Sequence, residues 1–197
     1  MKKFIKLFTP ILFCLLLCSQ GYSVTTYDVF ARHNNPIFIE TGSCVGDGIA
    51  CALKAGYKEI HSIELSPDFY QKCVVRFKNN PNVHLYLGDS SIVLKEILKN
   101  IKKPATFWLD GHYSWNGTAR GDTNTPILKE LAIIGDHSIK THTILIDDVR
   151  EFGTVEFDFI ELDDILKALE KINPNYLISY ENGYIANDVL VAEIKNK

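Results

Sequence analysis

The sequence predicts an α/β fold: a seven-stranded, mostly parallel sheet that finishes in an antiparallel hairpin and carries helices on both faces. Three features point there. Short β-rich runs alternate with amphipathic segments through most of the chain. The first run, Pro36-Ile37-Phe38-Ile39, passes through Glu40 and Thr41 into a turn bearing Gly42, Gly46 and Gly48 and then an Ala-rich apolar stretch, the pattern of strand, turn and helix. The last two runs are joined only by Asn182-Gly183-Tyr184-Ile185-Ala186-Asn187, too short for a crossover helix, so they must be antiparallel neighbours.

Taken in order, the chain opens with Lys2, Lys3 and Lys6 before an apolar run over residues 7–18; Gly21 and Ser23 then stand three and one residues before a cleavage point after Ser23. Residues 1–23 therefore read as a secretory leader, so the chain is expected to be exported or attached to a membrane through it; a cytoplasmic protein with an unused upstream start is the alternative. The run is short for a bilayer span, which argues against an uncleaved anchor. Residues 24–35 read as a polar connector, and residues 36–197 as a single domain.

Within that domain the strands are expected at 36–41, 59–65, 83–87, 105–109, 143–147, 176–181 and 188–194. Ser66-Pro67 is an N-cap with proline in the first turn; Val74, Val75 and Phe77 supply a buried side, and Asn79-Asn80-Pro81 the stop. Thr125-Pro126 repeats that start, with Ile127, Leu128, Leu131, Ile133 and Ile134 as the apolar face and Gly135 as the end.

Composition narrows the function. At 197 residues, 46% hydrophobic and 23% charged, the chain is an ordinary globular one. A net charge of -3 without a Lys/Arg-rich run gives no footprint for a phosphate backbone, which argues against nucleic acid as a partner. Outside the leader only Cys44, Cys51 and Cys73 remain, an odd number without metal-ligand spacing, and they read as small buried residues.

In an open α/β sheet, ligands bind beyond the carboxyl ends of the strands. Those ends carry Glu40-Thr41-Gly42, Glu64-Leu65, Gly88-Asp89-Ser90, Asp110-Gly111-His112 and Asp147-Asp148, an acid at each of five consecutive strands. The glycine turn lets backbone approach a ligand, and the N-H groups of the following helix face an anionic group. Glu64 lies 22 residues beyond Gly42, the place of an acid that accepts from ribose hydroxyls. Asp89 and Ser90 suit an adenine amino group, although Asp89 is equally a helix cap. Asp110, Asp147 and Asp148 would crowd together, repelling by about 4 kcal/mol per close pair at an effective dielectric near 20, and a hard cation such as Mg2+ relieves that. Asp148 could equally be a turn residue pointing away. His112 is either a base beside Asp110 or a loop histidine bonded to backbone. Tyr113, Trp115 and Arg120 follow in a loop long enough to wall a pocket, suggesting an aromatic or sugar-like acceptor with some negative charge.

A parallel sheet closed by an antiparallel hairpin is, by analogy of fold, that of S-adenosylmethionine-type methyltransferases. Glu40-Thr41-Gly42 with Gly46, Trp108-Leu109-Asp110-Gly111 and Ile144-Leu145-Ile146-Asp147-Asp148 resemble the corresponding blocks of the macrocin O-methyltransferase family, over about residues 36–148. The resemblance implies a Rossmann-like methyltransferase fold, S-adenosylmethionine as donor, Mg2+ held by Asp110, Asp147 and Asp148, and Asp110 as ligand and proton acceptor for a small hydroxylated acceptor. The donor would meet Glu40, Thr41, Gly42, Ser43 and Gly46 of the turn, Glu64 and Leu65 at the ribose, and Asp89 and Ser90 at the adenine. His112 stands where the family tends to have Asp, so the acceptor pocket is not carried over. Two other readings remain: a metal-dependent hydrolase using Asp110 and His112, and an exported, non-catalytic binding protein of the same fold, which the leader favours.

Overall fold

The computed structural model describes residues 22–115 and 117–195. The leader lies outside them except for its last two positions. Seven strands, β1 (Ile37–Thr41), β2 (Glu59–Glu64), β3 (Val83–Leu87), β4 (Ala105–Leu109), β5 (Thr143–Ile146), β6 (Leu177–Glu181) and β7 (Val189–Glu193), form one sheet among the described residues. Its order is β3-β2-β1-β4-β5-β7-β6. The pairs among β1 to β5 are parallel, while β7 runs antiparallel to both β5 and β6, as the short last connection requires.

The helices are α1 (Tyr22–Arg32), α2 (Asp47–Ala55), α3 (Pro67–Phe77), α4 (Ser90–Leu98), α5 (Ile127–Asp136) and α6 (Leu162–Ile172), with short 3-10 turns at Val149–Glu151 and Val155–Phe157. Both faces of the central strands are covered, so alternate residues of one strand enter different cores. Phe38, Trp108 and Leu145 pack under α1, α2 and α3 with Phe30, Ile49 and Cys73. Ile39, Phe107, Leu109 and Ile144 pack under α4, α5 and α6 with Leu94, Leu131 and Leu169. Among the described residues no helix is long and apolar enough to cross a membrane.

The expected connector at 24–35 is instead most of α1. Val29 and Phe30 are buried, and the Phe30 ring meets Phe38 at 4.8 Å and Trp108 at 5.0 Å. Arg32 closes the helix with a two-pronged bond to Glu181 at 2.9 and 2.8 Å. So few of its residues enter the core that the stretch carries no visible period. The other helices correct smaller points. Ser66 caps α3 by accepting from the Phe69 N-H, but Cys73 and Phe77, four residues apart, form the buried stripe, and Val75 is exposed. In α5 the stripe is Ile127, Glu130, Leu131 and Ile134, with Leu128 outside. Gly135 does not stop that helix: a Cβ there would lie 3.4 Å from Ile172, so it marks where α5 and α6 pack closely.

If α1 is part of the core, Phe30→Ala lowers unfolding stability in urea by about 3–5 kcal/mol, as large-to-small core changes do. Val75→Ala, on the outer side of α3, changes it by less than about 0.5 kcal/mol. Equal small effects from both would show that α1 is peripheral.

Candidate functional site

The carboxyl ends of β1, β2, β4 and β5 open into a cleft of about 880 Å³. Its floor is the turn after β1. Gly42 has φ +87°, and a Cβ there would sit 2.2 Å from the carbonyl oxygen of Asp110; at Gly48 a Cβ would sit 1.9 Å from Glu40 Oε1. Glycine is required at both because backbone of one strand end and a buried carboxyl of another lie against the turn.

Glu64, buried at the end of β2, holds that turn. Its Oε2 accepts from the Cys44 N-H at 2.8 Å and its Oε1 from the Ser66 N-H at 2.7 Å. One carboxylate therefore ties the glycine turn to the start of α3, and its outer lone pairs face the cleft it lines. Behind it the Ser62 hydroxyl donates to Glu40 and also bonds Ser43. Burial pushes the Glu40 carboxyl up to about 8. Asp89 caps α4, accepting from the Ser91 N-H at 2.8 Å, and still lines the cleft beside Ser90 and Leu65. Of the residues singled out from sequence, Thr41 and Gly46 do not line the cleft; Thr41 lies beneath Gly111. Cys51 and Cys73 are buried as expected, whereas Cys44 is exposed because it sits at the tip of the turn.

The acids of β4 and β5 meet across the cleft. Burial, followed by the charges of Asp147 and Asp148, raises the Asp110 carboxyl well above the ordinary range. Burial and Asp148 push Asp147 up to about 8. His112 stands between the two strands, with Nδ1 3.6 Å from Asp110 Oδ1 and Nε2 3.2 Å from Asp148 Oδ2. Burial lowers its pKa despite these neighbours, so the imidazole is neutral at pH 7. Its ring rests 4.9 Å from that of Phe157.

Asp147 and Asp148 both lie near enough to raise the Asp110 carboxyl, but ligand atoms group differently from the expected trio Asp110, Asp147 and Asp148. Ligand atoms of Asp110, His112 and Asp148 lie within 4.8 Å of one another, and Asp147 groups instead with Asp148 and Asp188. Asp147 turns its Oδ1 back to the Asp148 N-H, and Asp148 adopts φ 60° with its Oδ2 3.2 Å from His112 Nε2. Arg150 already neutralises the second group, contacting Asp148 Oδ1 at 2.5 Å and bonding Asp188.

Sequence reasoning passed over Arg150, Asp188 and Glu130. Glu130 is 1% exposed in the first turn of α5, its Oε1 without a hydrogen-bond partner beneath Gly111. The signal was an acid inside an apolar stripe, three residues after Ile127 and four before Ile134. Among the described residues, the non-glycines in the left-handed region are Cys44, Trp115, Asp148, Asp158, Phe159 and Asn187. All six lie in connections, and Cys44, Trp115 and Asp148 line the cleft, where backbone strain collects at functional sites.

No family model matches the chain, and no curated protein does. Solved structures do match. A Podospora anserina methyltransferase bound to S-adenosylhomocysteine is similar with a TM-score of 0.59 at 17% identity, over 87% of this chain and 76% of that one. A Bacillus cereus O-methyltransferase in complex with S-adenosylhomocysteine gives 0.58 at 13% identity, over 86% and 79%. An rRNA methylase from Streptococcus thermophilus gives 0.51 at 14% identity, over 86% and 95%. The chain thus has the Rossmann-like methyltransferase fold, the fold class its sequence predicts.

Burial pushes Glu130 up to about 7 from 4.5. A carboxyl raised in this way favours the folded state while protonated, and that contribution disappears as pH rises from 4.5 through 7. Glu130→Gln is therefore expected to leave urea stability nearly unchanged at pH 5 and to raise it at pH 8 by up to about 3 kcal/mol. The same difference at both pH values would contradict the assignment.

Proposed function

We propose that the chain is an S-adenosylmethionine-dependent O-methyltransferase acting on a small hydroxylated acceptor, assisted by a divalent cation. The observation that carries this reading is the union, in one cleft, of a glycine turn clamped by Glu64 and an acid-histidine centre at Asp110, His112 and Asp148. The fold, shared with structures that hold S-adenosylhomocysteine, supports it.

The turn and the start of α2 would receive the amino-acid end of the donor, with Glu64 at the ribose hydroxyls and Asp89 and Ser90 at the base. The donor supplies an electrophilic methyl group on its sulfonium. Asp110, with its raised carboxyl affinity for protons, would take the acceptor's hydroxyl proton as the oxygen attacks that methyl and the carbon-sulfur bond breaks. Two carboxylates and a neutral imidazole within one grouping fit a divalent cation, with Asp110, His112 and Asp148 as its ligands. Such an ion would lower the pKa of a bound hydroxyl. The histidine makes the set fit Mn2+ at least as well as the all-oxygen-loving Mg2+.

Charge around the cleft revises the acceptor. Arg120 does not line it, and Arg150 is already paired with Asp148 and Asp188. Asp122, Glu151 and Glu156 do line it against one lysine, Lys129, so a neutral or cationic acceptor suits the mouth better than an anionic one. Trp115, 61% exposed and 5.2 Å from the Tyr113 ring, offers an aromatic wall. For location, the leader-like segment assigns export or membrane attachment; cleavage after Ser23 would shorten α1 by only its first two residues.

Transfer of labelled methyl from S-adenosylmethionine to catechol and to a sugar hydroxyl tests the reading. Transfer is expected to need a divalent cation, to disappear with EDTA and return with Mn2+ or Mg2+. It should fall by about 100-fold or more in Asp110→Asn, the range of a lost acid-base group. Transfer indifferent to Asp110→Asn would contradict the assignment of Asp110.

A further inference from the structure

A third grouping of ligand atoms lies at the opposite edge of the sheet. His61 of β2 and His84 of β3 stand directly opposite each other in the parallel register, and Glu59, two residues before His61, shares their face. One ligand atom from each of the three falls within 4.8 Å of the others. The imidazoles stack at 4.9 Å. This end of β2 is its amino end, a strand length from Glu64 and the cleft.

We propose that Glu59, His61 and His84 form a transition-metal site of the Zn2+ type, with water completing a tetrahedral set, that staples the edge strand β3 to β2. Two imidazoles and one carboxylate suit Zn2+, Ni2+ or Cu2+ and do not suit Mg2+ or Ca2+, which take oxygen. The site is built rather than incidental in one respect. His61 is buried, and both of its nitrogens are engaged, Nε2 with Glu59 Oε1 at 2.9 Å and Nδ1 with the Tyr86 hydroxyl at 2.9 Å. A neutral imidazole has one donor and one acceptor nitrogen, and a tyrosine hydroxyl serves as either. In the metal-free state Nε2-H donates to Glu59 and Tyr86 donates to Nδ1. With the metal bound, Nε2 gives its lone pair to the ion, the proton resides on Nδ1, and Nδ1-H donates to the Tyr86 oxygen. Tyr86 thus holds the ring in the same orientation in both states, the role that partners of metal-binding histidines fill. Glu59 is half-exposed and His84 is exposed, which leaves the fourth position open to water.

The proposal does not depend on methyl transfer and is tested on the full chain after removal of metal. One equivalent of Co2+ should produce the visible absorption of a tetrahedral site, and excess Zn2+ should raise the thermal midpoint by about 5–10 °C. Both responses should persist in His112→Ala, which removes the cleft's imidazole. They should weaken by at least about tenfold in His84→Ala. His84 is exposed, so the metal-free midpoint of that variant should match the wild type, which separates loss of binding from loss of fold. Absence of the Co2+ spectrum and of the Zn2+ shift in the wild type overturns the proposal, as does an undiminished response in His84→Ala.

Discussion

The turn after β1 lies so close to the end of β4 that any side chain at residue 42 would collide with the Asp110 carbonyl. This approach sets the geometry of everything above it. It brings the N-H groups of the turn, held from the far side by Glu64, next to the backbone that carries Asp110 and His112. A glycine turn and an acid centre on neighbouring strands would otherwise be separate features; the missing Cβ makes them one cleft. The parallel pairing of β1 with β4 extends from Ile37–Ala105 to Thr41–Leu109, so the contact is locked by register as well as by size.

The cleft is electrostatically costly. Glu40 and Asp147 are both pushed up to about 8, and Glu130 to about 7, chiefly because burial disfavours their charge. Cores built for stability alone leave such groups out. Their concentration at the carboxyl ends of the strands, next to the left-handed Cys44, Trp115 and Asp148 of the cleft lining, is the pattern of a site that keeps strain and unfavourable charge for binding or chemistry. Arg150 offsets one part of that charge through Asp148 Oδ1 and Asp188, while the other Asp148 oxygen faces His112.

The sheet was legible in the sequence because its central strands β1, β4 and β5, buried on both faces, read as apolar runs, and the strand ends moved by only a residue or so. The antiparallel finish was legible from one short connection. Helix α1 was not, since Val29 and Phe30 alone do not make a period. That Glu64, Asp89 and Asp110 line one cleft was legible because this topology gathers its strand ends there. Which carboxylates group together was not legible: that depended on the left-handed turn at Asp148 and on Arg150, which is brought to Asp188 by the β5–β7 pairing. Glu130 was hidden by its neighbours, an acid in a stripe whose other members are all apolar.

The most direct test is calorimetric titration of S-adenosylmethionine and S-adenosylhomocysteine into the purified chain, beside the Glu64→Gln variant. Binding at one site per chain is expected, weakened about tenfold or more when Glu64 loses its charge, the scale of a charge-assisted hydrogen bond. An absence of heat with both ligands, from protein that unfolds cooperatively, would contradict the donor site on which the account rests.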